Sequence, residues 1–77
     1  MSPPLAYWSS GGEIRAASRP VPLADAQALL GVHLDEARAA VAAGAPQSAL
    51  RALALASELN AAVLRLQDWR AAAASPR

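Results

Sequence analysis

The chain is 77 residues long, has a formal net charge of +1 and contains no cysteine. One small domain of this length has a marginal core, and such chains lean on disulfides, metals or association. The missing cysteine excludes disulfides, cysteine-based zinc sites and thiol catalysis, and the near-neutral charge gives no bulk attraction to nucleic acid or an anionic membrane.

Every basic residue is Arg and alanine is the commonest residue, the coding bias of a GC-rich bacterial or phage gene. No apolar run reaches the length of a membrane span. The N-terminus, Met-Ser-Pro-Pro-Leu-Ala-Tyr-Trp, lacks the basic and long apolar regions of a signal peptide. The expectation is a soluble, cytoplasmic protein with no membrane contact.

In chain order, residues 1–22 read as an N-terminal ribbon or extended arm with a Pro-rich connector. Residues 1–4 are expected to be loose, because Ser2, Pro3 and Pro4 favour extended backbone. Leu5–Ser9 and Glu13–Ser18 flank Ser10-Gly11-Gly12, and paired glycines supply the positive φ of a hairpin turn. Two registers compete. Pairing Trp8 with Glu13 sets Tyr7 against Ile14 and Leu5 against Ala16 on one apolar face. A turn centred on Gly11-Gly12 pairs Trp8 with Arg15 instead. A two-stranded ribbon is unstable by itself, so it must lie on the helices or pair with another ribbon. Arg19-Pro20-Val21-Pro22 reads as a stiff connector.

Residues 23–74 read as an antiparallel helical hairpin, 23–43 and 46–74. Pro22 suits a helix start, and Asp25 suits the positive end of the helix dipole. The first segment carries the apolar row Leu23, Ala26, Leu30, Leu34, Ala37 and Val41. Gly31 costs about 1 kcal/mol against alanine in a helix interior, so either the helix tolerates it for close packing or it breaks there. Gly44 reads as a C-cap and Pro46 as the opening of the next helix, so the connection is very short. Residues 75–77 read as a disordered tail after the last turn.

The long helix, Gln47 to Ala73, has two apolar seams. One row is Leu50, Leu53, Ser57, Asn60, Leu64 and Ala71; the other is Ala52, Leu55, Leu59, Ala62, Leu66, Trp69 and Ala73. The second alternates steps of three and four, the spacing of a helix–helix seam. A helix apolar on two sides needs two neighbours. The expectation is that the first row packs on the preceding helix. Leu55, Leu59, Ala62, Leu66 and Trp69 then form the seam to a second copy or another protein. The fold class is therefore mainly α, with the hairpins assembling into a dimeric four-helix bundle.

The run Leu23 to Val32, with Leu29-Leu30-Gly31-Val32 at its end, then Val41 and Gly44, resembles the helix-turn-helix of MerR-type and excisionase-type DNA-binding proteins. That resemblance implies a support helix Leu23–Leu30, a turn at Gly31 and a recognition helix His33–Ala43. Arg15, Arg19, His33 and Arg38 would be its DNA contacts. The same helix offers Asp35 and Glu36 to the phosphates and one Arg to the bases, which argues against it. Ala37, Gly44, Ala49, Leu50, Leu53 and Ala56 are also similar in spacing to one helical hairpin of the tetratricopeptide repeats, with no second unit to stack on.

His33 and Glu36 lie one helical turn apart, but one His and one Glu make no metal site, and the expectation is a surface His beside a helical Glu. The single His has no nucleophile placed near it by any motif. Ser10-Gly11-Gly12 lacks the Lys and Ser/Thr of a phosphate loop. The sequence thus predicts no enzyme, no cofactor and no metal. It predicts a non-enzymatic protein–protein interaction module, of adaptor or inhibitor type, that self-associates through its long helix. A small DNA-binding regulator with a degenerate helix-turn-helix at 23–44 is the alternative.

Overall fold

A computed structural model describes residues 6–16 and 19–74. Expectations for residues 1–5, for 17–18 and for the tail at 75–77 lie outside the described residues.

The paired glycines decide the register. Gly11 and Gly12 adopt φ of +60° and +82°, a conformation that suits a two-residue hairpin turn and that side chains resist. The turn is centred on them, so β1 (Tyr7–Ser10) pairs with β2 (Glu13–Ala16) with Trp8 opposite Arg15. The chain then returns as β3 (Arg19–Val21), antiparallel to β2, with Pro20 opposite Arg15 and Val21 opposite Ile14. The expected connector is thus an edge strand, where proline's missing N–H can face solvent and cost no ladder bond. The sheet order is β1-β2-β3. Strand alternation puts Tyr7, Ile14, Ala16 and Val21 on one face and Trp8, Glu13, Arg15 and Pro20 on the other. Ile14 is buried in the core, which identifies the first face as the inner one.

Two helices follow: α1 (Leu23–Ala42) and α2 (Pro46–Ala74). The α1 helix runs unbroken through Gly31, which has no positive φ; of the two readings open for that residue the continuous helix holds, and the turn implied by the helix-turn-helix resemblance is absent. It ends where expected. Gly44 takes φ +72°, its N–H bonds to the Val41 carbonyl at 3.1 Å, and the Ala45 N–H reaches the Ala40 carbonyl at 2.8 Å. These two bonds are the Schellman pattern, which satisfies carbonyls the helix leaves open. Pro46 then opens α2 at the position where a missing N–H is harmless.

The architecture has two layers, a three-stranded sheet against one side of an antiparallel helix pair. Ile14, Ala26, Leu59, Ala62, Val63 and Leu66 form the core, with Tyr7, Val21, Leu23, Leu29 and Leu30 packed around it. At one end of the ribbon the Ala6 N–H donates to Glu58 Oε2 at 3.0 Å, and at the other Gly12 lies flat against the Trp69 ring. The ribbon therefore runs alongside α2 for about 16 Å, the rise of eleven helical residues.

Candidate interaction surface

The seams of α2 exchange the roles expected of them. Leu59, Ala62 and Leu66 are 0–2% exposed, covered by their own chain, while Leu55 is only partly buried. This corrects the expectation that Leu59, Ala62 and Leu66 meet a partner. The physical reason is that α2 already has a second neighbour within the chain. The sheet contributes Ile14, Tyr7 and Val21 to the same cluster.

The buried residues Ala49, Ala52, Ala56, Leu59, Val63 and Leu66 of α2 are spaced three and four apart, the spacing of a helix–helix contact. Its counterpart on α1 is Ala26, Leu30, His33 and Ala37, at the same spacing. Small alanines near the hairpin turn let the two helices approach closely, which is how the leucine-poor end of the pair packs. Trp69 is half exposed, and its ring is the bed on which Gly12 rests: a Cβ added there would lie 2.9 Å from two ring carbons. It anchors the ribbon to α2, so its apolar face is in use within the chain.

The other row is the uncovered one. Leu50, Leu53 and Leu64 are 63%, 47% and 53% exposed, and Ser57 and Asn60 between them are exposed too. On α1, Leu34 and Val41 are exposed although they belong to the predicted core row. Leu30, Leu34, Leu53, Ala56, Ser57 and Asn60 line one hollow between the helices. The two helices therefore present a common face, on the side where no strand packs. Folding leaves five branched aliphatic side chains there in water.

The polar residues marked out by the sequence go elsewhere. His33 is buried, against the surface position expected of it, and its Nε2 lies 2.8 Å from the Tyr7 hydroxyl. The rings meet edge-on at 5.7 Å. Its Nδ1 has no hydrogen-bond partner among the described residues, and Glu36 Oε1 stands 3.6 Å away. Burial pushes the Tyr7 hydroxyl above its ordinary pKa, and the nearby Glu36 and Glu58 carboxylates add to the rise. A harder-to-ionise Tyr bonded to a buried His ties the sheet to α1. It does not make an activated nucleophile.

Arg15 lies on the outer face of the sheet, its guanidinium 3.1 Å from Glu13. Arg19 is exposed on β3, and Arg38 is exposed on α1, one turn beyond Leu34. His33 is thus inside, Arg15 and Arg19 are on the sheet and Arg38 is on α1, and the continuous α1 leaves no separate recognition helix. Among the described residues no group of His, Asp and Glu could hold a metal ion, and no helix is long and apolar enough to cross a membrane.

No protein-family model matches the chain, and no curated protein or solved structure matches it at a significant level.

Proposed function

We propose that this chain is a small non-enzymatic protein–protein interaction module, of adaptor or inhibitor type, whose contact surface is the uncovered face of its helical hairpin. One observation carries the reading: Leu34, Val41, Leu50, Leu53 and Leu64 are exposed, and helical spacing from the hollow shared by Leu34 and Leu53 sets them on one side of α1 and α2. Scattered exposed aliphatics are ordinary, but a contiguous apolar face across two helices marks an association site. Self-association through this face stacks two hairpins into a four-helix core. The long helix remains the principal contributor, through its first seam and not its second. Nothing in the fold favours the nucleic-acid reading.

Light scattering after gel filtration at micromolar concentration tests this. The expected mass is about twice the 7.9 kDa of one chain. Leu53→Glu should return the mass to one chain with unchanged helical circular dichroism, because Leu53 is half in water already. A wild-type chain of single mass that does not respond to Leu53→Glu in any assay of association overturns the reading.

A further inference from the structure

We infer that the occupant of this face is a second copy seated antiparallel, on a two-fold axis that passes beside Ser57. The inference rests on the interaction reading above and fixes what that reading leaves open. The row on α2 is self-complementary about Ser57. Seven residues to either side stand Leu50 and Leu64; four to either side stand Leu53 and Ala61. Rotation about Ser57 lays Leu50 of one copy on Leu64 of the other, twice, and sets a large Leu53 over a small Ala61. A two-fold contact needs one patch that fits itself in this way. Ser57, the smallest side chain of the row apart from its alanines, sits on the axis, where the two α2 helices approach most closely. The α1 residues Leu30 and Leu34 are level with it, since they line the same hollow.

Charge does not choose between antiparallel and parallel stacking: near the hairpin turn Arg38 and Arg51 stand with Asp35 and Glu36, and at the other end Arg65 and Arg70 stand with Asp68, all exposed. The direction rests on the fit of the α2 row to itself. The net charge of +1 opposes neither pairing in bulk. The area suffices. A face about 30 Å long, the length of α1, and about 20 Å wide, two helix diameters, covers about 600 Å² on each copy. Two such faces bury about 1,200 Å², the lower end of stable specific interfaces. The rotation also closes the assembly. Both faces are consumed, so two copies form and not a filament.

Cysteine coupling in the full chain tests the seat, and the chain has no cysteine of its own to confuse it. All substituted positions are exposed, so the fold is retained. Ser57→Cys chains should couple to themselves under mild oxidation or a short bis-maleimide, and Arg65→Cys chains, on the outer side of α2, should not. Leu50→Cys mixed with Leu64→Cys should give the mixed covalent dimer in at least tenfold excess over either self-coupled product. The axis holds each of those residues about 21 Å from its own mate. Self-coupling of Leu50→Cys shows a parallel pair and overturns the inference while leaving self-association standing. A double-mass particle that couples at none of these positions overturns the seat alone. Single mass with no coupling anywhere overturns the interaction reading as well.

Discussion

The exchange of seams has a sharp energetic consequence. Leu59 is fully buried in the core, while Leu53, six residues earlier on the same helix, is 47% exposed. Leu59→Ala removes a completely enclosed side chain from between α1, α2 and β2, and such truncations cost about 3–5 kcal/mol once the residual cavity is counted. A chain of this length has about 4–12 kcal/mol of stability in total. The substitution therefore removes a quarter or more of it, and at about 4–8 °C per kcal/mol it lowers Tm by about 12–40 °C. Leu53→Ala gives up only the half of its surface that is already covered, at about 1 kcal/mol or less for the single chain. Thermal melts followed by circular dichroism, in dilute solution where association is weak, compare the two. Equal melting shifts, or a larger shift for Leu53→Ala, refute the assignment of Leu59 to the core. An intact Leu59→Glu chain that merely changes its oligomeric state does so even more directly.

Three further outcomes follow from particular residues. Gly31→Ala should stabilise the chain by about 0.5–1 kcal/mol, because Gly31 is helical and a Cβ there meets open space; destabilisation in urea titration would mean that the backbone turns there after all. Gly12→Ala should destabilise, because φ is +82° and the new methyl meets the Trp69 ring at 2.9 Å. The loss should shrink in a Trp69→Ala background without vanishing, since the backbone strain remains. Tyr7 should make the fold sensitive to alkali. Its pKa is raised in the folded state by burial and by Glu36 and Glu58, so the folded chain holds the proton more tightly than the unfolded one. That contribution is complete below the usual tyrosine value of about 10 and declines as pH rises through the raised value. Tyr7→Phe should lose the hydrogen bond to His33 at neutral pH and flatten the decline that begins above the usual tyrosine value of about 10. An unchanged alkaline slope in that variant would assign the loss to other groups.

The helix ends were legible because each carries its own local chemistry. Pro22, Gly44 and Pro46 act through backbone geometry that no tertiary contact needs to supply. The hairpin was legible in kind, and the glycine turn fixed its register over the face-matching alternative. The third strand was not, because Arg19-Pro20-Val21 reads as a connector until a neighbouring strand is known to receive it. The two seams of α2 were visible as periodicity, but periodicity reports that a side is apolar and not what meets it. A cue lay in residue size. Ala49, Ala52 and Ala56 belong to the close helix–helix contact, and a row that mixes alanines with leucines fits a tight intramolecular seam better than the leucine-rich row does. His33 was misplaced because a lone histidine with charged neighbours reads as a surface residue. Yet Ala26, Leu30, His33 and Ala37 keep the same three-and-four spacing as the buried row of α2, and that spacing places it inside.

The remaining asymmetry comes from what one chain of this size can cover. A helix pair has two broad faces. Three strands of three or four residues form a sheet about 14 Å wide and about 13 Å long. That is enough to close one face around Ile14 and Leu66 and leaves nothing for the other. A monomer built this way would be expected to carry charge on its bare face, as solvated helix faces do. Here that row holds Leu50, Leu53 and Leu64, with Ser57 and Asn60 its only polar members between them. Of the charged residues of α2, only Asp68, one turn past Leu64, continues that row. Arg51, Glu58 and Arg65 occupy the strip between the two seams, and Glu58 holds the ribbon. Charge is thus spent where the sheet docks and where solvent remains, and aliphatic surface is kept where a second helix pair would fit. Moving one charge onto the bare face, at Leu53, tests whether that partition serves association or is incidental to the fold.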